Sequence, residues 1–130
     1  MKRILVVDDN SDILELIEII LQRNGFETLT CRKGEDALRN IEFYIPHIIL
    51  LDVFLGSING IDICNKLKSD PVTEHIPIIM FSANTAHDLI FSRCKANDFI
   101  EKPFNINHLI SKITFQIEAA KRKALLEARA

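Results

Sequence analysis

Five side chains in this sequence have the types and placement to do chemistry together. Asp8 and Asp9 close the apolar run Arg3–Val7, Asp52 closes His47–Leu51, Ser82 closes Ile76–Phe81, and Lys102 follows Asn97–Ile100. Each taken alone is an ordinary polar residue beside a hydrophobic block; recurrence at four block ends makes them a set. If the three carboxylates meet, they repel. Two unit charges ~4 Å apart cost roughly 4 kcal/mol at an effective dielectric of about 20. Such a group takes up a proton or recruits a cation. Oxygen-only ligands select a hard ion, and a site with few carboxylates and open water positions suits Mg2+ better than Ca2+. One lysine cannot neutralise three acids, but it can pair with an incoming anionic oxygen.

The elements that must position these residues are legible as alternating periods. Arg3–Val7 is a β-branched block of the kind buried on both sheet faces. Ile13, Leu14, Leu16, Ile17, Ile20 and Leu21 then recur at helical spacing over Asn10–Asn24, with Asn10 or Ser11 to cap the start and Asn24-Gly25 to close the end. Phe26–Cys31 reads as a second strand and Gly34–Tyr44 as a second helix stopped by Pro46. His47–Leu51 is the third strand, followed by a glycine-containing loop through Gly60, a third helix over Ile61–Ser69 and a fourth strand over Ile76–Phe81. Thr85–Lys95 is a helix candidate of poor periodicity. Asn97–Ile100 is a short fifth strand, and Asn105 can cap a final helix with the stripe Ile106, Leu109, Ile110, Ile113 and Ile117.

Strands alternating with helices imply an α/β fold, a doubly wound five-stranded parallel sheet flanked by five helices. If the strand order is 2-1-3-4-5, the first and third strands are neighbours at the switch point where α/β sheets form sites. Asp8, Asp9 and Asp52 then crowd one edge, with Ser82 and Lys102 closing its far side.

The chain has 130 residues, 48% hydrophobic and 26% charged, enough for one packed core. A net charge of −2 gives no global footprint for nucleic acid. No apolar run is long enough to cross a bilayer and no leader pattern is present, so the chain reads as soluble and cytoplasmic, without a membrane partner. Cys31, Cys64 and Cys94 form no CxxC pair and are expected to be packing residues. The histidines are dispersed and receive no catalytic role.

In its motifs the chain resembles the receiver domains of two-component response regulators, phosphoacceptors of flavodoxin-like fold. The matching residues are VVDDN at 6–10, LLDVF at 50–54, NG at 59–60, SA at 82–83 and NDFIEKPF at 97–104. The resemblance covers residues 1–118 as a receiver domain. It leaves 119–130 as a helical extension with no separate output domain. It implies phosphorylation of Asp52, by a histidine kinase or a histidine phosphotransfer protein, in phosphorelay signalling. It implies Mg2+ held by Asp9, Asp52 and the Phe54 backbone carbonyl, with Asp8 acting through water. Ser82 and the Ala83 amide would contact the phosphoryl group, Lys102 would neutralise it, and Lys102-Pro103 would be a cis peptide. Ser82 and Phe99 would form a switch that changes the partner-binding surface. The implied protein is a signalling domain, catalysing only its own phosphorylation and dephosphorylation. A phosphorylation-dependent homodimer and no direct nucleic acid binding complete the expected partners.

Some residues depart from that pattern. Gly56 stands where the family commonly has proline, which predicts a more mobile loop; Lys95 replaces a common glycine; and Phe99 lacks a tyrosine hydroxyl. The tail Glu118–Ala130 is rich in helix formers, with a stripe too small to bury much area. Rival readings are a phosphorylation-independent docking scaffold, an aspartyl-phosphate hydrolase of similar fold, and a flavin carrier. The hydrolase pattern wants a second acid where Asp52-Val53-Phe54 has none. Asp8-Asp9-Asn10 would repel a flavin phosphate.

Overall fold

The apolar blocks of the sequence become the strands of one parallel sheet. The structure, a computed structural model, describes residues 1–56, 58–82 and 93–129. In chain order its elements are β1 (Arg3–Val7), α1 (Ser11–Arg23), β2 (Glu27–Cys31), α2 (Gly34–Tyr44), β3 (Ile48–Asp52), β4 (Phe54–Leu55), β5 (Ile58–Asn59), α3 (Gly60–Ser69), β6 (Ile78–Ser82), β7 (Asp98–Glu101) and α4 (Ile106–Ala128). The sheet runs β2-β1-β3-β6-β7 with every pairing parallel. This is the expected doubly wound order, renumbered because β4 and β5 intervene. Four helices lie among the described residues. Most of the helix expected over Thr85–Lys95 falls outside them, and Cys94 and Lys95 lie in no helix.

Side-chain alternation along each strand divides the core in two. Leu5, Val7, Ile49, Leu51, Ile78 and Met80 pack on the face covered by Ala37 and Ile41 of α2 and Ile61, Ile63, Cys64 and Leu67 of α3. Ile4, Val6, Ile48, Leu50, Ile79 and Phe81 pack on the other face, against Leu14, Ile17 and Leu21 of α1 and Leu109, Ile113 and Ile117 of α4. Helices on both faces explain why the strands read as continuous apolar runs rather than alternating ones.

Polar residues punctuate the elements as their chemistry dictates. Asn10 accepts from the Asp12 and Ile13 N–H groups at the start of α1, and Asn105 accepts from the His108 N–H at the start of α4. The Asn24 side chain donates to the Ile20 carbonyl at the other end of α1. The end of α2 is held from a distance: the Arg3 guanidinium donates to the Tyr44 and Ile45 carbonyls.

The loop after Asp52 holds a small antiparallel hairpin that the sequence did not suggest. Phe54 pairs with Asn59 and Leu55 with Ile58, and Gly56 turns the chain at a φ of 68°. Helix α3 begins at Gly60, one residue ahead of the expected start, because Asn59 caps it through the Ile61 N–H. A Cβ on Gly60 would lie 2.0 Å from the Asp52 carbonyl oxygen, so only glycine lets α3 approach the end of β3 this closely.

Candidate functional site

The parallel register brings the ends of β1, β3, β6 and β7 to one edge. Asp52 lies opposite Phe81, Ser82 lies opposite Glu101, and the Lys102 N–H continues the ladder by donating to the Ser82 carbonyl at 2.9 Å. The Lys102-Pro103 peptide is cis.

At that edge Asp8 is fully buried and Asp52 is 5% exposed, while Asp9 faces solvent. Carboxylate oxygens of all three lie within 4.8 Å of one another. Asp8 Oδ1 accepts from the Asn10 N–H at 2.8 Å, and its Oδ2 accepts from Lys102 Nζ at 2.7 Å. Asp52 Oδ1 accepts from the Phe54 N–H at 3.2 Å, and Lys102 Nζ stands 3.3 Å from its Oδ2. The one ammonium therefore serves two acids and sits closer to Asp8. It also lies 4.7 Å from the centroid of the Phe81 ring, whose negative face helps hold the cation between the carboxylates.

The electrostatic imbalance settles on Asp52. Burial, and then the charge of Asp8, push its carboxyl up to about 6, against the opposing pull of Lys102 and the Phe54 amide. A carboxylate this poorly compensated is stabilised by whatever brings positive charge to it.

The structure thus brings Asp8, Asp9, Asp52 and Lys102 together and places Ser82, fully buried, at the end of the adjoining strand. Phe54 turns its amide toward Asp52 and leaves its ring exposed. Phe99 is buried in the core on the α3 side, opposite Met80. Ala83 lies outside the described residues. Sequence reasoning missed the supporting roles of Phe81, Gly60 and Arg32, the last donating to the Asp9 carbonyl at 3.4 Å. Phe81 was within reach of it, as the residue facing Asp52 one place before Ser82. Gly60 did carry a signal as part of the Asn59-Gly60 match, although its close approach to the end of β3 was not legible there; the Arg32 contact joins distant segments and leaves no mark in the sequence.

Comparison with known proteins gives a consistent result. The family model described as response regulator receiver domain matches residues 4–114. The chain is 36% identical over 114 residues to the DNA-binding response regulator MtrA of Mycobacterium tuberculosis, covering 86% of this chain and 49% of that protein. It is 32% identical over 114 residues to the alkaline phosphatase synthesis transcriptional regulatory protein PhoP of Bacillus subtilis, covering 86% and 47%. The solved signal receiver domain of a signal transduction histidine kinase from Syntrophus aciditrophicus superposes with a TM-score of 0.86 at 29% identity, covering 94% of each chain. The chain spans about half the length of the curated relatives it matches.

These relatives correct one expectation, the exclusion of direct nucleic acid binding. MtrA is described as DNA-binding, so a negative net charge does not exclude that partner for proteins of this kind. The physical reason is that charge counted over 130 residues reports on the surface of this chain, which spans 49% of MtrA.

Proposed function

Because the chain belongs to the response regulator receiver-domain family, we propose that Asp52 is its phosphoacceptor, taking a phosphoryl group from a histidine kinase or a histidine phosphotransfer protein. The observation that carries this reading is the buried Asp52 carboxylate, paired with Lys102 and crowded by Asp8 and Asp9. An oxygen of Asp52 forms a bond to phosphorus as the bond from phosphorus to the donor's imidazole nitrogen breaks; the electron pair of that bond stays on the nitrogen, and the ring, already protonated on its other nitrogen, leaves as neutral imidazole. Transfer of this kind depends on placement and charge neutralisation more than on covalent help from the protein. Lys102 Nζ lies 3.3 Å from Asp52, which supports a role in following the charge onto the phosphoryl oxygens. The Ser82 hydroxyl and the Ala83 amide would donate to those oxygens, with Ser82 and Phe99 carrying the change to the partner surface.

The donor set fits a hard divalent cation, because three carboxylates lie within 4.8 Å and, among the described residues, the Lys102 ammonium alone pairs with them. Asp9, Asp52 and the Phe54 carbonyl, with Asp8 through water, would hold Mg2+, which when bound neutralises charge on the transferring group. In this reading the domain catalyses its own phosphorylation and dephosphorylation and nothing else. The description of MtrA as DNA-binding makes DNA-directed output the first class to test for a protein carrying this domain.

Intact-mass analysis after exposure to acetyl phosphate and Mg2+ tests the proposal. One phosphoryl group should add to the wild type and none to Asp52→Asn. Labelling of the variant at the wild-type rate would refute the assignment. Asp9→Asn should weaken Mg2+ binding in a titration, and an unchanged affinity would remove Asp9 from the ligand set.

A further inference from the structure

The edge of the sheet opposite the carboxylates carries a feature that phosphoacceptance does not use. A cleft of about 730 Å3 opens there, between the strand starts and the C-terminal turns of α4. Six cations line it: Lys2, Arg3, Lys68, Lys95, Lys121 and Lys123. Among the described residues two carboxylates, Glu74 and Glu127, share the lining. In a chain of net charge −2 this is a marked segregation of positive charge.

Much of that charge is uncommitted. Arg3 is occupied with the carbonyls at the end of α2, and Lys68 Nζ donates to the Glu74 and Ile76 carbonyls. Among the described residues, Lys2, Lys95, Lys121 and Lys123 have no carboxylate within ion-pair distance. Burial lowers the pKa of Lys68, and the facing charge of Lys123 lowers it further, although Cys64 and Glu74 oppose the shift. Like charges held across a cleft are relieved when an anion enters between them. His47, also in the lining, accepts the Arg3 backbone N–H on Nδ1 at 2.9 Å, so its neutral ring keeps Nε2–H as a further donor.

The remaining wall is apolar. Pro46, Ile76, Pro77 and Ile117 line it, and Ala120 and Ala124, one helical turn apart on α4, keep it open. This gives the alanine- and lysine-rich tail a use: its small residues leave room and its lysines supply charge. Cations gathered in one cleft of small-molecule size, rather than drawn out along a stripe, suit a compact ligand better than a nucleic acid backbone.

We propose that this cleft is a binding site for a small polyphosphate ligand with an apolar body, the chemistry of a nucleoside diphosphate or triphosphate. The phosphates lie among Lys2, Lys95, Lys121 and Lys123, and the flat apolar part rests on the proline, isoleucine and alanine wall. The site is independent of the phosphoacceptor reading, because it lies at the other edge of the sheet and shares none of its residues.

Calorimetric titration of the full chain with ADP, in buffer containing EDTA so that no metal bridges the nucleotide to the acidic edge, tests this. ADP should bind, and more tightly than pyrophosphate or adenosine, which probe the charged and apolar halves separately. The double variant Lys121→Glu/Lys123→Glu, at exposed helix positions, should lose roughly tenfold or more in ADP affinity, as expected when charge-assisted contacts to phosphate are reversed. Its circular dichroism and its labelling by acetyl phosphate should match wild type, and Asp52→Asn should bind ADP normally. No ADP binding by the wild type, equal affinity for pyrophosphate, or unchanged affinity in the double variant would each overturn the proposal.

Discussion

Asp52 carries an electrostatic cost that its neighbours only partly offset, and that cost has a measurable sign. Its carboxyl ordinarily titrates near 3.8 but is pushed up to about 6 in the fold, by burial first and Asp8 second. The folded chain therefore holds this proton more tightly than the unfolded one. Stability falls as pH rises from the unfolded value to the folded one, and the loss is complete above the latter. At about 1.4 kcal/mol per unit the whole effect is at most about 3 kcal/mol. In metal-free buffer Asp52→Asn should melt above wild type at pH 7 and converge with it near pH 4, the ordinary carboxyl range. A gap of the same size at both pH values would show that the buried charge is not its source. Adding Mg2+ at pH 7 should narrow the gap by stabilising the wild type alone.

At the scale of elements, the site depends on how closely α3 and the β4–β5 hairpin are drawn against β3. Gly60→Ala places a methyl group 2.0 Å from the Asp52 carbonyl, a backbone atom that cannot swing away. It should cost about 1–3 kcal/mol in urea denaturation, the range for overpacked positions, and should slow Asp52 labelling. Gly56→Pro should likewise disturb the hairpin, because proline cannot take the φ of 68° found there. That angle gives a structural reason for glycine where the family commonly has proline: the turn is a defined left-handed one. The sheet and most helices were legible because β-branched blocks and three-to-four-residue stripes are local signals. The hairpin was not, since strands of two residues, Phe54–Leu55 and Ile58–Asn59, have no period to detect. Strand β6 starts at Ile78 rather than Ile76 because Pro77 has no N–H to give a ladder. The acidic cluster was legible as a set of strand ends. The unequal sharing of Lys102 between Asp8 and Asp52 was not, because it is fixed by a fraction of an ångström in packing.

At the scale of the molecule, phosphorylation has to reach a surface beyond its own loop. Ser82 and Glu101 face each other across β6 and β7, as do Met80 and Phe99, so under the proposed switch a shift at Ser82 would reach β7 through the shared ladder. Phe99 is already buried in this structure, and the expected response is thus in the two strands rather than in an exposed ring. Beryllofluoride, a stable stand-in for the phosphoryl group, should change hydrogen exchange most across residues 82–104. A change confined to residues 53–60 would show that the site is altered without the strands following, and the switch would fail. The same sheet also separates the molecule into halves. Val6 faces one core and Val7 the other, and among the described residues no buried side chain belongs to both. The two cores can therefore accumulate substitutions almost independently: stability changes at Ile17 and Ile63, on opposite faces, should simply add, while pairs within one face should show epistasis. A lineage carrying this fold can drift in the packing of one face without first securing compensation in the other.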